Sequence, residues 1–146
     1  MPPTVLDVVK RKGSNVVRVA QDSTVLDAAR IMMEGRIGGV LVVDADDNVV
    51  GIFTERDVLR RVVAEERVAS ETVISDVMSR ELVTVTCKTL LDACGALMTE
   101  RRIRHLPVME DGQLHGIITP GDLMAFRLAE QESLVQSLEH YVFDLR

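Results

Sequence analysis

The sequence predicts a mixed α/β (α+β) protein built of two tandem β-α-β-β-α repeats and a long C-terminal helix. A glycine-bearing strand followed by Thr-x-x-Asp occurs twice, at 51–57 and at 116–122, an offset of 65 residues (122 − 57 = 65). Because self-similarity at a fixed offset is the signature of a repeated structural unit, we interpret the chain as an internal duplication. An apolar pattern with helical spacing continues from the second copy nearly to the end of the chain.

Composition indicates a soluble globular protein and excludes several classes of partner. The chain has 146 residues, 47% of them hydrophobic and 27% charged, which is the size of one domain, whereas each half alone would be marginal. The halves are therefore expected to pack on each other. Aliphatic side chains and seven Met must fill the core, because only 3% of the residues are aromatic. The net charge of −6 disfavours nucleic acid and anionic membranes as partners.

The chain carries no sign of a membrane span or a secretory signal. No apolar run approaches the ~18 residues of a membrane span, and the first residues lack the basic and apolar regions of a signal peptide. We therefore expect a cytoplasmic location. Cys87 and Cys94 form no metal-binding or redox spacing, and Cys94 lies on an apolar helix face, which indicates a reduced core thiol.

The first repeat is predicted to follow a short helix that Thr4 caps and Gly13 ends. Residues 16–19 have the pattern of a short strand. Thr24, with a carboxylate three residues on, caps a helix that runs to about Glu34.

The rest of the first repeat reads as strand, strand and helix. Residues 40–43 form a continuous aliphatic run, which is typical of a strand covered on both faces. A turn at 44–48 leads to the next strand at 49–53, and Thr54 then opens a helix with apolar residues between 58 and 63.

The second repeat is predicted to follow the same order. Residues 82–85 match the first strand, and Thr89 with Asp92 reproduces the helix cap at the same offset (89 − 24 = 65). Residues 106–109 correspond to the buried strand, a turn follows, and 114–118 form the strand that leads into the second Thr-x-x-Asp.

These assignments predict the organisation of the chain. An N-terminal helix and the first repeat occupy 1–65, a linker with a short helix at 73–78 occupies 66–80, the second repeat occupies 81–127, and a helical extension occupies 128–146. The extension carries Leu134, Val135, Leu138, Tyr141 and Val142, an apolar stripe that exceeds one domain. We expect it to rest on another copy of the chain, or alternatively to fold back on its own module.

From about Lys10 to Arg127 the chain resembles a pair of cystathionine β-synthase (CBS) domains, also called a Bateman module, of the stand-alone kind. The two in-register copies of Gly-hydrophobic-hydrophobic-Thr-x-x-Asp carry the resemblance, and two further segments, 76–79 and 102–108, also fit the family pattern. The resemblance implies pseudo-twofold packing of the repeats, two clefts between them, and regulatory binding of adenosine-containing ligands without catalysis.

The chemistry of the two corners suits such a ligand. We call Thr54–Asp57 the first corner and Thr119–Asp122 the second corner. Asp122 offers an acceptor-only carboxylate for ribose hydroxyls, while the Thr119 hydroxyl and the free N–H groups of the helix start suit a phosphate oxygen. The alternative is a plain helix cap, with Pro120 at the favoured first helical position, and the two roles do not exclude each other.

The basic residues near the second repeat divide into two groups. Arg101 and Arg102 fit a solvated helix end, where cations complement the helix dipole. The resemblance implies that Arg104 and His105 face the same cleft as the second corner and supply charge for a phosphate. The equivalent place in the first repeat is Gly38-Gly39, so we expect the two clefts to be unequal, with the first corner the weaker site.

The resemblance assigns two ligand sites by position. The first site comprises residues of both repeats, namely Asn15, Val17, Ile37, Gly38, Arg104, His105, Thr119 and Asp122. Lys12 is the alternative to Asn15. The second site comprises Thr54, Arg56, Asp57, Ser79, Val83 and Ile103.

The predicted function is a non-catalytic sensor of AMP, ADP, ATP or S-adenosylmethionine. No catalytic or metal constellation is evident, and no cofactor beyond the regulatory ligand is expected. A homodimer and a regulated partner protein are expected. The alternative from another class is a structural or interaction module with vestigial clefts that dimerises through its terminal helices.

Overall fold

The order of helices and strands follows the predicted repeats. The computed structural model describes residues 1–144. In chain order the elements are α1 (Val5–Lys12), β1 (Arg18–Ala20), α2 (Val25–Gly35), β2 (Gly39–Val43), β3 (Val49–Thr54), α3 (Glu55–Asp57, continued by a π-helical segment at Val58–Val63), a 3-10 turn (Ala69–Glu71), α4 (Ile74–Val77), α5 (Leu91–Arg101), β4 (Leu106–Glu110), β5 (Gln113–Ile118) and α6 (Pro120–Asp144).

The elements divide into two units that do not coincide with a simple cut between the repeats. Unit 2 is the continuous segment Asn15–Val83, and unit 1 combines Met1–Ser14 with the chain from Thr84 onward. Helix α1 therefore belongs to the unit of the second repeat, although it precedes the first repeat in sequence.

Backbone hydrogen bonds explain this exchange of helices. At the start of α1, Val5 N donates to Thr89 O at 2.8 Å, just before α5. At the start of α4, Ile74 N donates to Ser23 O at 2.8 Å, just before α2. Each repeat is therefore completed by a short helix that precedes the other repeat in sequence.

The sheet of unit 2 has the order β1-β2-β3, with β1 parallel and β3 antiparallel to β2. Leu41 lies opposite Ile52, and a bulge falls between Val42 and Val43. Every residue of β2 is buried. The prediction of a strand covered on both faces is confirmed, because a run of aliphatic side chains has no polar face to turn to water.

The core of unit 2 forms around β2. Phe53, Val40 and Val42 are the centre, with apolar residues from α2, α4 and the π-helical segment around them, and the buried set comprises Val19, Val25, Ala28, Met32, Val40, Val42, Phe53, Val62, Ile74, Val77 and Met78.

Unit 1 contains the antiparallel pair β4-β5, with Val108 opposite Gly116 and a bulge at the position equivalent to that in unit 2. The predicted strand at 82–85 is wrong except for one residue. Val85 makes an isolated parallel bridge to Val108. The chain then leaves the sheet because the carbonyl of Cys87 accepts a hydrogen bond from Leu6 N of α1 at 3.0 Å.

The two repeat helices begin differently. Thr24 caps α2 as predicted, with its Oγ1 accepting from Asp27 N at 3.2 Å. The predicted cap by Thr89 and Asp92 is wrong, because α5 begins after Leu90, and Thr89 Oγ1 instead accepts from Thr86 N at 3.1 Å. The helices are offset by 66 residues (91 − 25 = 66) and the corners by 65 (119 − 54 = 65), so the second repeat loses one residue between them.

Helix α6 confirms the predicted long C-terminal helix, with 25 residues. Its N-terminal part packs on unit 1, where Leu123 is buried. The five predicted stripe residues are each more than half exposed, namely Leu134, Val135, Leu138, Tyr141 and Val142. Among residues 1–144, no helix has the length and apolar character needed to cross a membrane.

Cys94 confirms the prediction of a core thiol. It lies on the buried side of α5 with none of its surface exposed, and burial raises the pKa of its thiol. Cys87 is also buried, and its thiol pKa is raised by desolvation and by the neighbouring carboxylate of Glu110. Neither cysteine is in a disulfide.

Candidate functional site

The second corner is built at the junction of β5 and α6. Thr119 N and Thr119 Oγ1 donate to Asp122 Oδ2 at 2.9 and 3.0 Å, and Asp122 N donates to Thr119 Oγ1 at 3.4 Å. This reciprocal pattern is a capping arrangement, so the capping role that the sequence left open is present. The carboxylate is nevertheless not sealed off, because 18% of the side-chain surface of Asp122 is exposed.

Lys12 brings a cation to the second corner. Its Nζ donates to Asp122 Oδ2 at 2.7 Å and to Ile117 O at 2.8 Å. The side chain starts from the last turn of α1, which ends at Gly13 with a φ of 91°. Of the two sequence alternatives, Lys12 or Asn15, it is Lys12 that contacts the second corner within unit 1.

The end of α1 is fixed against unit 1 on both sides of Lys12. A Cβ on Gly116 would lie 3.4 Å from Val9 Cγ2, so the absence of a side chain in β5 gives α1 room to pack. The guanidinium of Arg11 lies over the ring of Phe126 at 5.8 Å from its centroid. These contacts hold the ammonium of Lys12 beside the carboxylate of Asp122.

The first corner has the same cap but a more enclosed carboxylate. Thr54 N donates to Asp57 Oδ2 at 3.0 Å, and Asp57 N donates to Thr54 Oγ1 at 3.4 Å. On the other oxygen, Ser79 Oγ donates to Asp57 Oδ1 at 3.0 Å. Only 9% of the side-chain surface of Asp57 is exposed, half the value for Asp122.

Ser79 reaches Asp57 because the chain after α4 lies directly against β3. Ile52 N donates to Ser79 O and Ser79 N donates to Ile52 O, both at 2.9 Å. A Cβ on Gly51 would lie 2.7 Å from Met78 Sδ and 2.8 Å from Ser79 O, so only glycine permits this approach. Gly51, which precedes the first corner, therefore allows the linker to pack against β3.

Arg61 was missed by the sequence reasoning. Its Nε lies 3.7 Å from Asp57 Oδ1, and its Nη1 donates to Met78 O at 2.8 Å. The signal was available, because Arg61 follows Asp57 by four residues, the spacing at which side chains meet on a helix. Arg61 and Ser79 also line a groove of about 430 Å³ together with Arg80.

The basic residues predicted for the phosphate lie before β4 in unit 1. Arg104 is exposed and His105 is partly buried. Arg104 and Ile103 line a groove of about 600 Å³ between α5 and α6, which also includes Pro120 of the second corner. Arg104 is thus a neighbour of the second corner along one groove wall.

The remaining predicted residues of the first site lie in unit 2. Asn15 and Val17 are exposed near β1, and Ile37 is partly buried between α2 and β2. Gly38 O accepts a hydrogen bond from Glu55 N at 3.0 Å, which places Gly38 beside the first corner within that unit.

The second predicted site likewise draws on both units. Thr54, Asp57 and Ser79 are brought together in unit 2 by the hydrogen bonds above. Arg56 is exposed on α3, and Val83 is partly buried at the end of that unit. Ile103 belongs to unit 1.

The two corners present the same kinds of polar group. Each corner presents a carboxylate that accepts hydrogen bonds, a threonine hydroxyl and at least one cation within contact distance. Among the residues that the structure describes, no group of three or more His, Cys, Asp or Glu could hold a metal ion.

Comparison with known proteins agrees with the duplicated architecture. A protein-family model described as CBS domain matches residues 5–64 and 74–129. The CBS domain-containing protein CBSX3, mitochondrial, of Arabidopsis thaliana is 34% identical over 147 residues, covering 95% of this chain and 71% of that protein.

Solved structures give the same result. A candidate signal-transduction protein with CBS domains from Burkholderia ambifaria MC40-6 is similar with a TM-score of 0.83 and 40% identity, covering 88% of this chain and 96% of the other. A hexameric CBS-CP12 protein from bloom-forming cyanobacteria is similar with a TM-score of 0.74 and 26% identity, covering 85% and 71% of the two chains. The two matched segments and these relatives show that the chain belongs to the CBS-domain family, with two CBS repeats.

Proposed function

We propose that this chain is a non-catalytic regulatory module that binds an adenosine-containing ligand at its Thr-x-x-Asp corners. Proteins of the CBS-domain family are regulatory modules, and nucleotide binding is typical of them. AMP, ADP, ATP and S-adenosylmethionine share the adenosine that the corners would recognise, and no other cofactor is required.

The observation that carries the proposal is the second corner with its cation. The partly exposed carboxylate of Asp122 accepts hydroxyl hydrogen bonds, as a ribose would provide, and the ammonium of Lys12 lies 2.7 Å from it. Arg104, on the wall of the adjoining groove, adds a guanidinium suited to a phosphate. In this proposal His105, next to Arg104 before β4, completes the part of the site that unit 1 supplies.

The first corner is proposed as the weaker site. Both oxygens of Asp57 already accept hydrogen bonds from protein donors, and the side chain is almost fully buried. A ligand hydroxyl must therefore displace Ser79, and a buried donor without a partner is costly. Thr54, Arg56 and Val83 are the other contacts proposed within unit 2.

Isothermal titration calorimetry with AMP, ADP, ATP and S-adenosylmethionine tests this assignment. We expect Asp122→Ala to remove most of the binding and Asp57→Ala to weaken a second, looser event. Asp92→Ala is the matched control, since it removes an exposed carboxylate of the same unit that pairs with Arg127 at 3.2 Å. Unchanged binding in both corner variants would contradict the site assignment.

The exposed apolar end of α6 favours a second candidate, an interaction module whose corners bind no ligand. A thermal-shift screen separates the two, because a ligand at 100 times its Kd stabilises the folded chain by about 2.7 kcal/mol. A shift with any of the four ligands supports the sensor. No shift with all four supports the interaction module.

Three further features belong to the proposal. The chain is proposed to self-associate as a homodimer. The similar cyanobacterial CBS-CP12 protein is described as hexameric. A second protein is proposed to respond to ligand occupancy. A cytoplasmic location accords with the acidic composition and the buried unpaired cysteines.

A further inference from the structure

The outer part of α6 has no covering partner in the chain that the structure describes. Every residue from Glu130 to Val142 is exposed. At 1.5 Å per residue, these residues extend α6 by roughly 20 Å. An uncovered helix of this length gains little from its own propensity, so packing against a partner is the natural source of its stability.

The apolar residues of this helix follow a heptad repeat. Alternating steps of four and three residues connect Met124, Leu128, Gln131, Val135, Leu138 and Val142. We call these residues the seam. Its five apolar members are each between 51% and 65% exposed. A stripe repeating every 3.5 residues is the pattern that two supercoiled helices bury between them.

The residue types at the seam favour a two-stranded, parallel pair. Leu128, Val135 and Val142 fall at the a positions, and Met124, Gln131 and Leu138 fall at the d positions. β-branched residues at a with leucine at d favour two strands in parallel coiled coils, and Val135, Val142 and Leu138 fit this pattern. In a parallel pair, the amide of Gln131 meets its own copy when the two helices are in register.

The charges beside the seam also favour the parallel orientation. Glu132 and Glu139 both occupy e positions, while Arg127 occupies a g position. An antiparallel pair would bring the glutamates of the two chains together. A parallel pair instead places Arg127 next to the partner's Glu132.

Arg127 is available for this contact with a second copy of the chain. Its present ion pair with Asp92, at 3.2 Å, joins two side chains that are 64% and 89% exposed. Pairs this exposed contribute little to stability. The guanidinium can therefore turn to a glutamate of a second copy.

We propose that two copies of this chain associate through a parallel, in-register coiled coil formed by the seam of α6, from Met124 to Val142. The inference rests on the proposed self-association and specifies the surface that forms it. Leu134 and Tyr141, at g positions, flank the seam and cover its edge.

Sedimentation velocity of Leu138→Glu, with Ser137→Glu as matched control, tests the surface. Both changes add one negative charge to the exposed helix, but only residue 138 lies in the seam. We expect Leu138→Glu to weaken the dimer about a hundredfold or more, because two buried leucines are lost and two charges meet. Ser137→Glu should change the dimer by less than about threefold. Equal behaviour of the two variants, or a monomeric wild-type chain, would overturn the proposal.

Cysteine crosslinking tests the orientation. Gln131→Cys and Leu138→Cys, made separately, should each form an intermolecular disulfide on mild oxidation, whereas the outward-facing Ser137→Cys should not. An antiparallel pair can bring at most one position opposite itself, so crosslinking of only one seam variant would overturn the parallel arrangement. The native Cys87 and Cys94 are buried and do not compete. Calorimetry with AMP on the same variants measures ligand binding separately from dimerisation. A failure of the proposed ligand function can therefore be distinguished from a failure of the coiled coil.

Discussion

The substitution Asp57→Ala tests how much of the stability of unit 2 depends on the first corner. The carboxylate of Asp57 caps α3 through Thr54 N at 3.0 Å and accepts a hydrogen bond from Ser79 Oγ at 3.0 Å. Loss of the cap costs about 1 kcal/mol. Loss of a buried hydrogen bond to an ionised group costs about 1.5–3 kcal/mol. Because Arg61 is half-exposed, its ion pair adds little.

We therefore expect Asp57→Ala to lower the free energy of unfolding of unit 2 by about 3 kcal/mol. Asp122→Ala is the matched variant in unit 1. It removes a cap worth about 1 kcal/mol and a partly exposed ion pair with Lys12 worth about 1 kcal/mol or less, so its cost should stay below about 2 kcal/mol.

Hydrogen exchange read by mass spectrometry measures the two units separately. In Asp57→Ala, the amides of β2 should exchange about a hundredfold faster, because each 1.4 kcal/mol is a factor of ten. The amides of β5 report on unit 1 and serve as the internal control. A cost below about 1 kcal/mol for Asp57→Ala, or equal costs for the two variants, would refute the idea that Asp57 is primarily engaged by Ser79.

Three further predictions address individual contacts. Gly51→Ala should destabilise the chain by about 2 kcal/mol or more, because the added Cβ would lie 2.7 Å from the sulfur atom of Met78. Gly116→Ala should cost less than about 1 kcal/mol, because its Cβ would lie 3.4 Å from a methyl group of Val9. Urea denaturation compares the two variants. Lys12→Met should lower stability by about 0.5 kcal/mol in the same assay, because it removes a partly exposed ion pair with Asp122; a loss above about 1.5 kcal/mol would contradict this small contribution. Cys94 should resist iodoacetamide at pH 8 in the native chain and react in urea, because burial both shields the thiol and raises its pKa; rapid native labelling would contradict the core position.

The elements predicted most accurately from the sequence are those whose local residue pattern fits one kind of secondary structure. The aliphatic run of β2 could only be a covered strand, and Thr24 followed by a carboxylate three residues later could readily cap α2. The C-terminal helix was also evident, because its apolar spacing is helical over a long stretch.

The failure at Thr89 has a specific cause. Matching residue types between the repeats aligned Thr89 with Thr24, but in the structure Leu90 holds the equivalent position. The difference of one residue is absorbed in the shorter turn between β4 and β5. A comparison of residue identities misplaced the one-residue deletion because threonine is a good N-cap residue and leucine a poor one.

The partners of the two corner carboxylates depend on long-range packing. Lys12 reaches Asp122 only because α1 joins unit 1, and Ser79 reaches Asp57 only because Gly51 lets the linker approach β3. The first contact joins residues 110 positions apart. No local pattern specifies such a pairing, although the i,i+4 spacing of Arg61 and Asp57 was a local signal.

The discontinuity of unit 1 has a consequence for synthesis of the chain on the ribosome. Unit 2 is one uninterrupted segment, Asn15–Val83, inserted between the two parts of unit 1. It can complete its hydrogen bonds while later residues are still being translated. Helix α1 emerges before unit 2 but has to wait until α5, β4 and β5 have followed, with Val5 and Val8 uncovered in the meantime. Helix α1 is therefore made before unit 2 but packs after it, and unit 2 folds before unit 1.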